Sequence, residues 1–306
     1  MSAIPQERAR QLRDRIGRVG VWLGSIGLAP AAEERAAIAR IEQLGYGAAW
    51  FGEGPTNREA LSHAGLLLAA SERLTIATGI ANIWARDAAA AINGANTLNE
   101  AYDERFLLGL GVSHAPIVNS RGHDYARPLT AMRTYLGAID AHRYDAPPPP
   151  HASPVLLAAL RPKMLELARE RTAGAHPYFV PPSHTAKARA ILGALPLLAP
   201  EQVVVLEADP ARAREIGRRH MKLYLRLPNY VNNLRTLGYE DADFADGGSE
   251  RLVDAIVAWG GEEAIAGRVR EHLDAGADHV AIQAYAESAG EALVQLERLA
   301  PALLEL

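Results

Sequence analysis

The sequence predicts an α/β protein built as a (β/α)8 TIM barrel. Short β-like runs alternate with helical stretches rich in Ala, Leu, Arg and Glu from end to end, and eight such runs can be counted within 306 residues. Strands alternating with helices imply parallel βαβ units, and eight units imply closure into a barrel of ordinary size. A doubly wound open sheet is the competing architecture. The expected organisation is a single domain, 1–306, with a 1–17 N-terminal extension and an insertion at 227–261 between strands seven and eight.

The elements follow in order. RVGVWL (18–23) reads as strand one, followed by a helix at 31–44, where Ile38, Ile41 and Leu44 share a face and Gly45 is a stop signal. GAAWFG (47–52) is strand two, with a helix at 59–70. LTIATGI (74–80) is strand three, with a helix at 87–101. The run 105–112 is strand four, with a loop over 117–126 and a helix at 127–142. APPPP (146–150) is a stiff loop ahead of strand five at 154–160, and Pro162 suits the first turn of the helix at 162–170. Strand six covers 173–180, although Pro177 interrupts it, and a helix covers 183–192. QVVVLE (202–207) is strand seven. Asp209 caps the helix at 211–225, with Pro210 beside it. HVAIQA (279–284) is strand eight, and 291–304 the last helix. Residues 227–261 exceed an ordinary connection and hold a polar, Asn-rich part and a helix at 250–259, so they are either decoration or a lid.

Composition limits the function. The net charge of −4 offers no basic excess for nucleic acid, so none is expected as a partner. The chain has no cysteine, which rules out thiolate catalysis and Cys-based metal sites. The charged N-terminus lacks an apolar signal core, and no apolar run could span a bilayer, so a cytoplasmic protein without a membrane partner is expected. The histidines show neither H-x-H nor H-E-x-x-H spacing, so no catalytic metal is expected.

LLGLGVSHAP (107–116) carries the chemistry most openly. A dinucleotide fingerprint would need a third glycine where His114 stands and a helix opening at the glycines, and the sequence suggests none. A nucleophile elbow at Ser113 needs the same turn into a helix, and its triad would also need a later acid and histidine, for instance Asp254 and His279, which nothing specific marks. A third reading is that the glycines let a strand pack closely at the C-terminal end of barrel strand four, where active sites of this architecture lie.

Together with LTIATGIANIWARD (74–87), KMLELARERTAGAHPYFV (163–180), LPNYVNN (227–233) and DGGSERLVDAIVAWG (246–260), this stretch resembles the luciferase-like monooxygenase superfamily, and within it the coenzyme F420-dependent oxidoreductases. The resemblance covers nearly all of 18–304. It implies a TIM barrel whose mouth holds a deazaflavin or an FMN ring, and a non-prolyl cis peptide near Gly79-Ile80, with Asn82 close by. It places Gly111, Val112, Ser113 and His114 beside the cofactor, and brings Gly174, Ala175 and His176 toward the ring and phosphate tail. Arg161 stands where the family pattern commonly has glycine. Trp22 and Trp84 would wall the ring.

Hydride transfer needs one proton managed near the ring. Glu53, in WFGEG, matches a position where related enzymes often keep a catalytic His or acid, and His114 is the second catalytic candidate. The expected activity is F420-dependent hydride transfer to or from a small organic substrate. The alternatives are an FMN-dependent monooxygenase served by a flavin reductase, a serine hydrolase using Ser113, and a barrel that binds cofactor without catalysis. The resemblance also implies a homodimer.

Overall fold

A computed structural model of the protein describes residues 4–306; the first three residues of the expected N-terminal extension lie outside the described residues. The first half runs α1 (Gln6–Ile16), β1 (Val19–Trp22), α2 (Ala31–Leu44), β2 (Ala48–Phe51), α3 (Ala60–Leu68), β3 (Thr75–Thr78), β4 (Ala81–Asn82), α4 (Ala88–Ala101), β5 (Phe106–Gly111), α5 (Ala115–Ser120) and α6 (Pro128–Ala141). Then come β6 (Val155–Leu157), α7 (Pro162–Arg171), β7 (Gly174–Ala175), α8 (Pro182–Leu192), β8 (Leu197–Leu198), β9 (Glu201–Val205) and α9 (Pro210–Tyr224). The chain closes with α10 (Pro228–Arg235), α11 (Asp241–Phe244), α12 (Glu250–Ile256), β10 (Ala258–Trp259), α13 (Glu262–Asp274), β11 (Val280–Ala284) and α14 (Ala289–Leu304).

Every strand pairing is parallel, in the order β10-β9-β11-β1-β2-β3-β5-β6-β7-β8, with β4 also on β5. The two flanks of this path meet. Two residues separate β8 from β9; Ala199 N donates to Ala175 O on one side, and Ala281 N to Pro200 O on the other. The sheet therefore curls back on itself, as in a TIM-barrel-like fold, with helices outside.

Several elements differ from the sequence reading. The extension contains α1, whose Ala9, Leu12 and Ile16 form one buried stripe, packed with Ile4 against Trp50, Leu107, Leu156 and Ala281 inside the curled sheet. Its charges sit on the outer face, which hid the stripe. Strand three divides into β3 and β4 at a cis Gly79-Ile80 bond. The expected strand over 173–180 shrinks to β7, because Pro177 has no N–H to continue the ladder. Strand seven begins earlier than 202, at β8. The loop expected over 117–126 starts instead as α5, a helix of six residues with Pro116 in its first turn. The helix α13 was not expected; its Ile265, Ala266, Val269 and Leu273 make a buried face.

Within 227–261 the chain forms α10, α11 and α12, and the expected helix over 250–259 ends at Ile256 so that β10 can pair with Val204 and Val205. A separate apolar cluster joins this segment to the sheet, with Leu234, Leu252, Val253 and Ile256 against Val203, Val205 and Met221. Among the described residues, no helix is long and apolar enough to cross a membrane.

Candidate active site

A cavity of about 470 Å³ opens at the C-terminal ends of the strands. Trp22 ends β1, Gly52 and Glu53 follow β2, and Gly79 and Ile80 follow β3; all five reach it. On the opposite side Gly111, Val112, Ser113 and His114 leave β5, and His176 and Tyr178 leave β7. Tyr224 of α9, with Asn229 and Tyr230 of α10, covers the top.

Two glycines bring β5 against β3. A Cβ on Gly109 would stand 1.9 Å from Thr78 O, and one on Gly111 2.4 Å from the Ile80 side chain. The G-x-G is thus a close-approach device. Ser113 then takes a positive φ of 58° and the chain enters α5.

His114 is half-buried. Its Nδ1 lies 3.0 Å from Asn229 Oδ1, and its ring 5.4 Å from that of Tyr230. The amide oxygen only accepts, so Nδ1 carries the proton and Nε2 keeps the lone pair. Burial lowers the imidazole pKa, against the pull of the Asn229 bond, so the neutral base is favoured.

Glu53 lines the same cavity but is gripped. Arg86 forks onto both carboxylate oxygens, and the N–H groups of Ala60 and Asn82 add bonds of 3.2 and 2.8 Å. Burial opposes the Arg86 charge, yet Glu53 and Glu59 raise its pKa above the ordinary value. Glu53 also donates its own N–H to Ile80 O at 3.2 Å, tying the ion pair to the bulge after β3. This arrangement suits an anchor better than a mobile proton carrier.

Tyr178 donates its hydroxyl proton to Gln283 Oε1 at 2.9 Å, so Tyr224, 2.7 Å away, must donate to Tyr178. Burial raises both phenols, Tyr224 to about 12, and both stay protonated at neutral pH.

The family model for luciferase-like monooxygenases matches residues 16–279. The chain belongs to the luciferase-like monooxygenase family. The family is one of oxidoreductase and monooxygenase enzymes. A 5,10-methylenetetrahydromethanopterin reductase from Methanolobus tindarius is 27% identical over 149 residues, 44% of this chain and 46% of the relative, so the chain spans about half the length of the curated relative it matches. An F420-dependent secondary alcohol dehydrogenase, solved with an F420-acetone adduct, superposes with a TM-score of 0.74 at 13% identity, over 94% of this chain and 98% of that one. The oxygenating constituent of 3,6-diketocamphane monooxygenase from Pseudomonas putida, solved with FMN, gives 0.69 at 12%, over 94% and 98%. At these identities the two structures speak to the fold alone, and both cofactors occur on it.

In this luciferase-like chain, most of the residues singled out from sequence come together: Trp22, Glu53, Gly79, Ile80, Gly111, Val112, Ser113, His114 and His176 all line the cavity. Three do not. Gly174 and Ala175 lie in the sheet wall, where a Cβ on Gly174 would strike Leu197 O at 2.0 Å. Asn82 is buried behind the wall, accepting from Trp84 N. Trp84 also faces away and donates from Nε1 to Val112 O at 3.0 Å, bracing the end of β5. The triad imagined for Ser113 does not assemble: His279 sits inside the sheet on Gly17 O and Trp50, and Asp254 holds Arg214 and Trp259.

Sequence reasoning missed Arg86, Tyr224 and Tyr230. Only the LPNYVNN resemblance hinted at α10, and nothing local marks an arginine in the loop ahead of α4 as the partner of Glu53. The residues present fit a flat ring with a polar edge. Gly79 and Gly111 let the cavity wall pack against Trp22, His176 and Ile80 with no Cβ in the way, and the buried Trp22 Nε1 and His176 Nε2 have no partner.

Proposed function

We propose that the protein is an F420-dependent oxidoreductase of TIM-barrel fold that transfers a hydride between the deazaflavin and a small organic substrate. The observation that carries this is the cavity itself, whose wall closes up at Gly79 and Gly111 and whose His114 offers a neutral imidazole with a free Nε2. The sequence's resemblance to the F420-dependent oxidoreductases favours F420 over FMN, and the 27% identity to a 5,10-methylenetetrahydromethanopterin reductase supports a reductase.

When bound, the deazaflavin supplies a carbon that accepts or donates hydride. The protein supplies the rest. Gly79, Ile80, Gly111 and Trp22 shape the slot that receives the ring. His114 Nε2 takes the proton of an alcohol-type substrate, or returns one, while Asn229 holds the ring tautomer. The Glu53–Arg86 pair keeps the bulge after β3 in place. Residues 227–261 act as a fixed lid that excludes water through Tyr230. Arg161, exposed on the cavity rim at the start of α7, would hold the anionic tail of the cofactor.

Titration of the purified protein with F420 and, separately, with FMN, followed by absorbance and fluorescence, tests the reading. Saturable binding of F420 with weak or no binding of FMN is expected. Tight FMN binding with none of F420 would overturn it in favour of an FMN-dependent monooxygenase.

A further inference from the structure

Two matched pairs of side chains sit inside the curled sheet, one above the other. In the lower pair, Trp50 donates from Nε1 to His279 Nε2 at 3.0 Å, and His279 donates from Nδ1 to Gly17 O at 2.8 Å. Every polar atom of that pair is satisfied. The upper pair is Trp22, which stands in register with Trp50 on the neighbouring strand, and His176, whose ring stacks on Trp50 at 4.5 Å and 12°. The residue types are the same, yet Trp22 Nε1 and His176 Nε2 are both buried and both without a partner.

The roles of these two nitrogens are fixed. An indole N–H can only donate. His176 Nδ1 lies 2.6 Å from Ala199 O, a carbonyl that can only accept, so its proton is on Nδ1 and Nε2 is a bare acceptor. Burial lowers the His176 pKa to about 4, which keeps the ring neutral at ordinary pH. A buried donor and a buried acceptor left unmade side by side are rare in native proteins and call for an explanation.

Their surroundings supply one. Both residues line the cavity, and both nitrogens converge on Gly79: a Cβ there would stand 2.7 Å from His176 Nε2 and 3.0 Å from Trp22 Nε1. Neither nitrogen is open to water as the side chains stand, so a flat group that pairs with them from the cavity shifts Trp22 or His176 as it enters, and it must show an acceptor next to a donor.

We propose that Trp22 Nε1 and His176 Nε2 receive the imide edge of the cofactor's pyrimidinedione ring, Trp22 donating to a ring carbonyl and His176 accepting from the ring N3–H. F420 and FMN share this edge, so the pair recognises the ring family and leaves the choice between the two to other contacts. The inference rests on the proposed cofactor-dependent function.

The test is the dissociation constant of F420, of FMN and of the N3-methylated form of whichever binds, for the wild type, Trp22→Phe and His176→Phe. The wild type is expected to bind the N3–H cofactor about tenfold or more tightly than its N3-methyl form. Trp22→Phe should weaken cofactor binding about tenfold, and His176→Phe should weaken it similarly and abolish the preference for N3–H. Equal binding of the N3–H and N3-methyl forms by the wild type overturns the pair, and this arm stands even if a variant does not fold. So does a folded variant that binds as tightly as the wild type. No binding of either cofactor by the wild type overturns the functional reading itself, a result distinct from the other two.

Discussion

His114 and Glu53 both emerge from the sequence as proton carriers, and their neighbours separate them. Glu53 has every lone pair committed, largely to Arg86, a residue 33 positions away that no local pattern links to it. His114 has one bond, to Asn229, and a nitrogen to spare. Residue type and position at a strand end were legible; the partner that commits a side chain was not, because it arrives through tertiary packing. The same holds for the tryptophans, since Trp22 faces the cavity and Trp84 turns its N–H to the backbone of Val112. If His114 must be neutral to act, turnover is complete above its lowered pKa and falls as pH drops through it, below about 6.5. In His114→Gln, turnover should drop about 100-fold and the acidic limb should vanish from the pH–rate profile of kcat. A limb unchanged in the variant assigns the proton to another group.

At the scale of elements, periodicity worked where a segment had a clean apolar face and failed where charge or length masked one. The helices at 31–44 and 87–101 appear nearly as read. The helix α1 did not emerge, because most of its positions are charged or polar and only Ala9, Leu12 and Ile16 mark its stripe. The pieces β7 and β8 have two residues each, below the length at which alternation can be seen, and α5 is too short for a helical period. Yet α1 closes the end of the sheet opposite the cavity, and Leu12 is almost wholly buried there. Leu12→Ala should therefore cost about 2–5 kcal/mol, a core-sized loss, although a reading of the extension as mere decoration expects almost none. Urea unfolding followed by circular dichroism measures it. Cofactor affinity should hardly change, because the substitution lies at the far end of the sheet.

The whole molecule carries an unusual load of buried titratable groups, and their opposing signs set its pH response. Burial lowers His176 and His279 to about 4 and His220 and His272 to about 3. Their stabilising effect is present in full above the unfolded value near 6.5 and is lost as pH falls, because the unfolded chain then takes up protons that the folded chain refuses. Each removes about 1.4 kcal/mol per pH unit in that window. Glu201 works the other way. Burial raises its carboxyl to about 8, with the Phe179 N–H pulling weakly against it, so its contribution is present below the unfolded value of 4.5 and is lost as pH rises toward 8. Between 4.5 and 6.5 one glutamate opposes four histidines and the histidines win, so stability rises with pH. Between 6.5 and 8 the histidines are neutral in both states and only Glu201 still acts among these five groups, so stability declines by about 1.4 kcal/mol per unit. The denaturant midpoint should therefore peak near pH 6.5. In Glu201→Gln the alkaline decline should flatten while the acidic fall remains, and a decline of unchanged slope in that variant would remove Glu201 as its source.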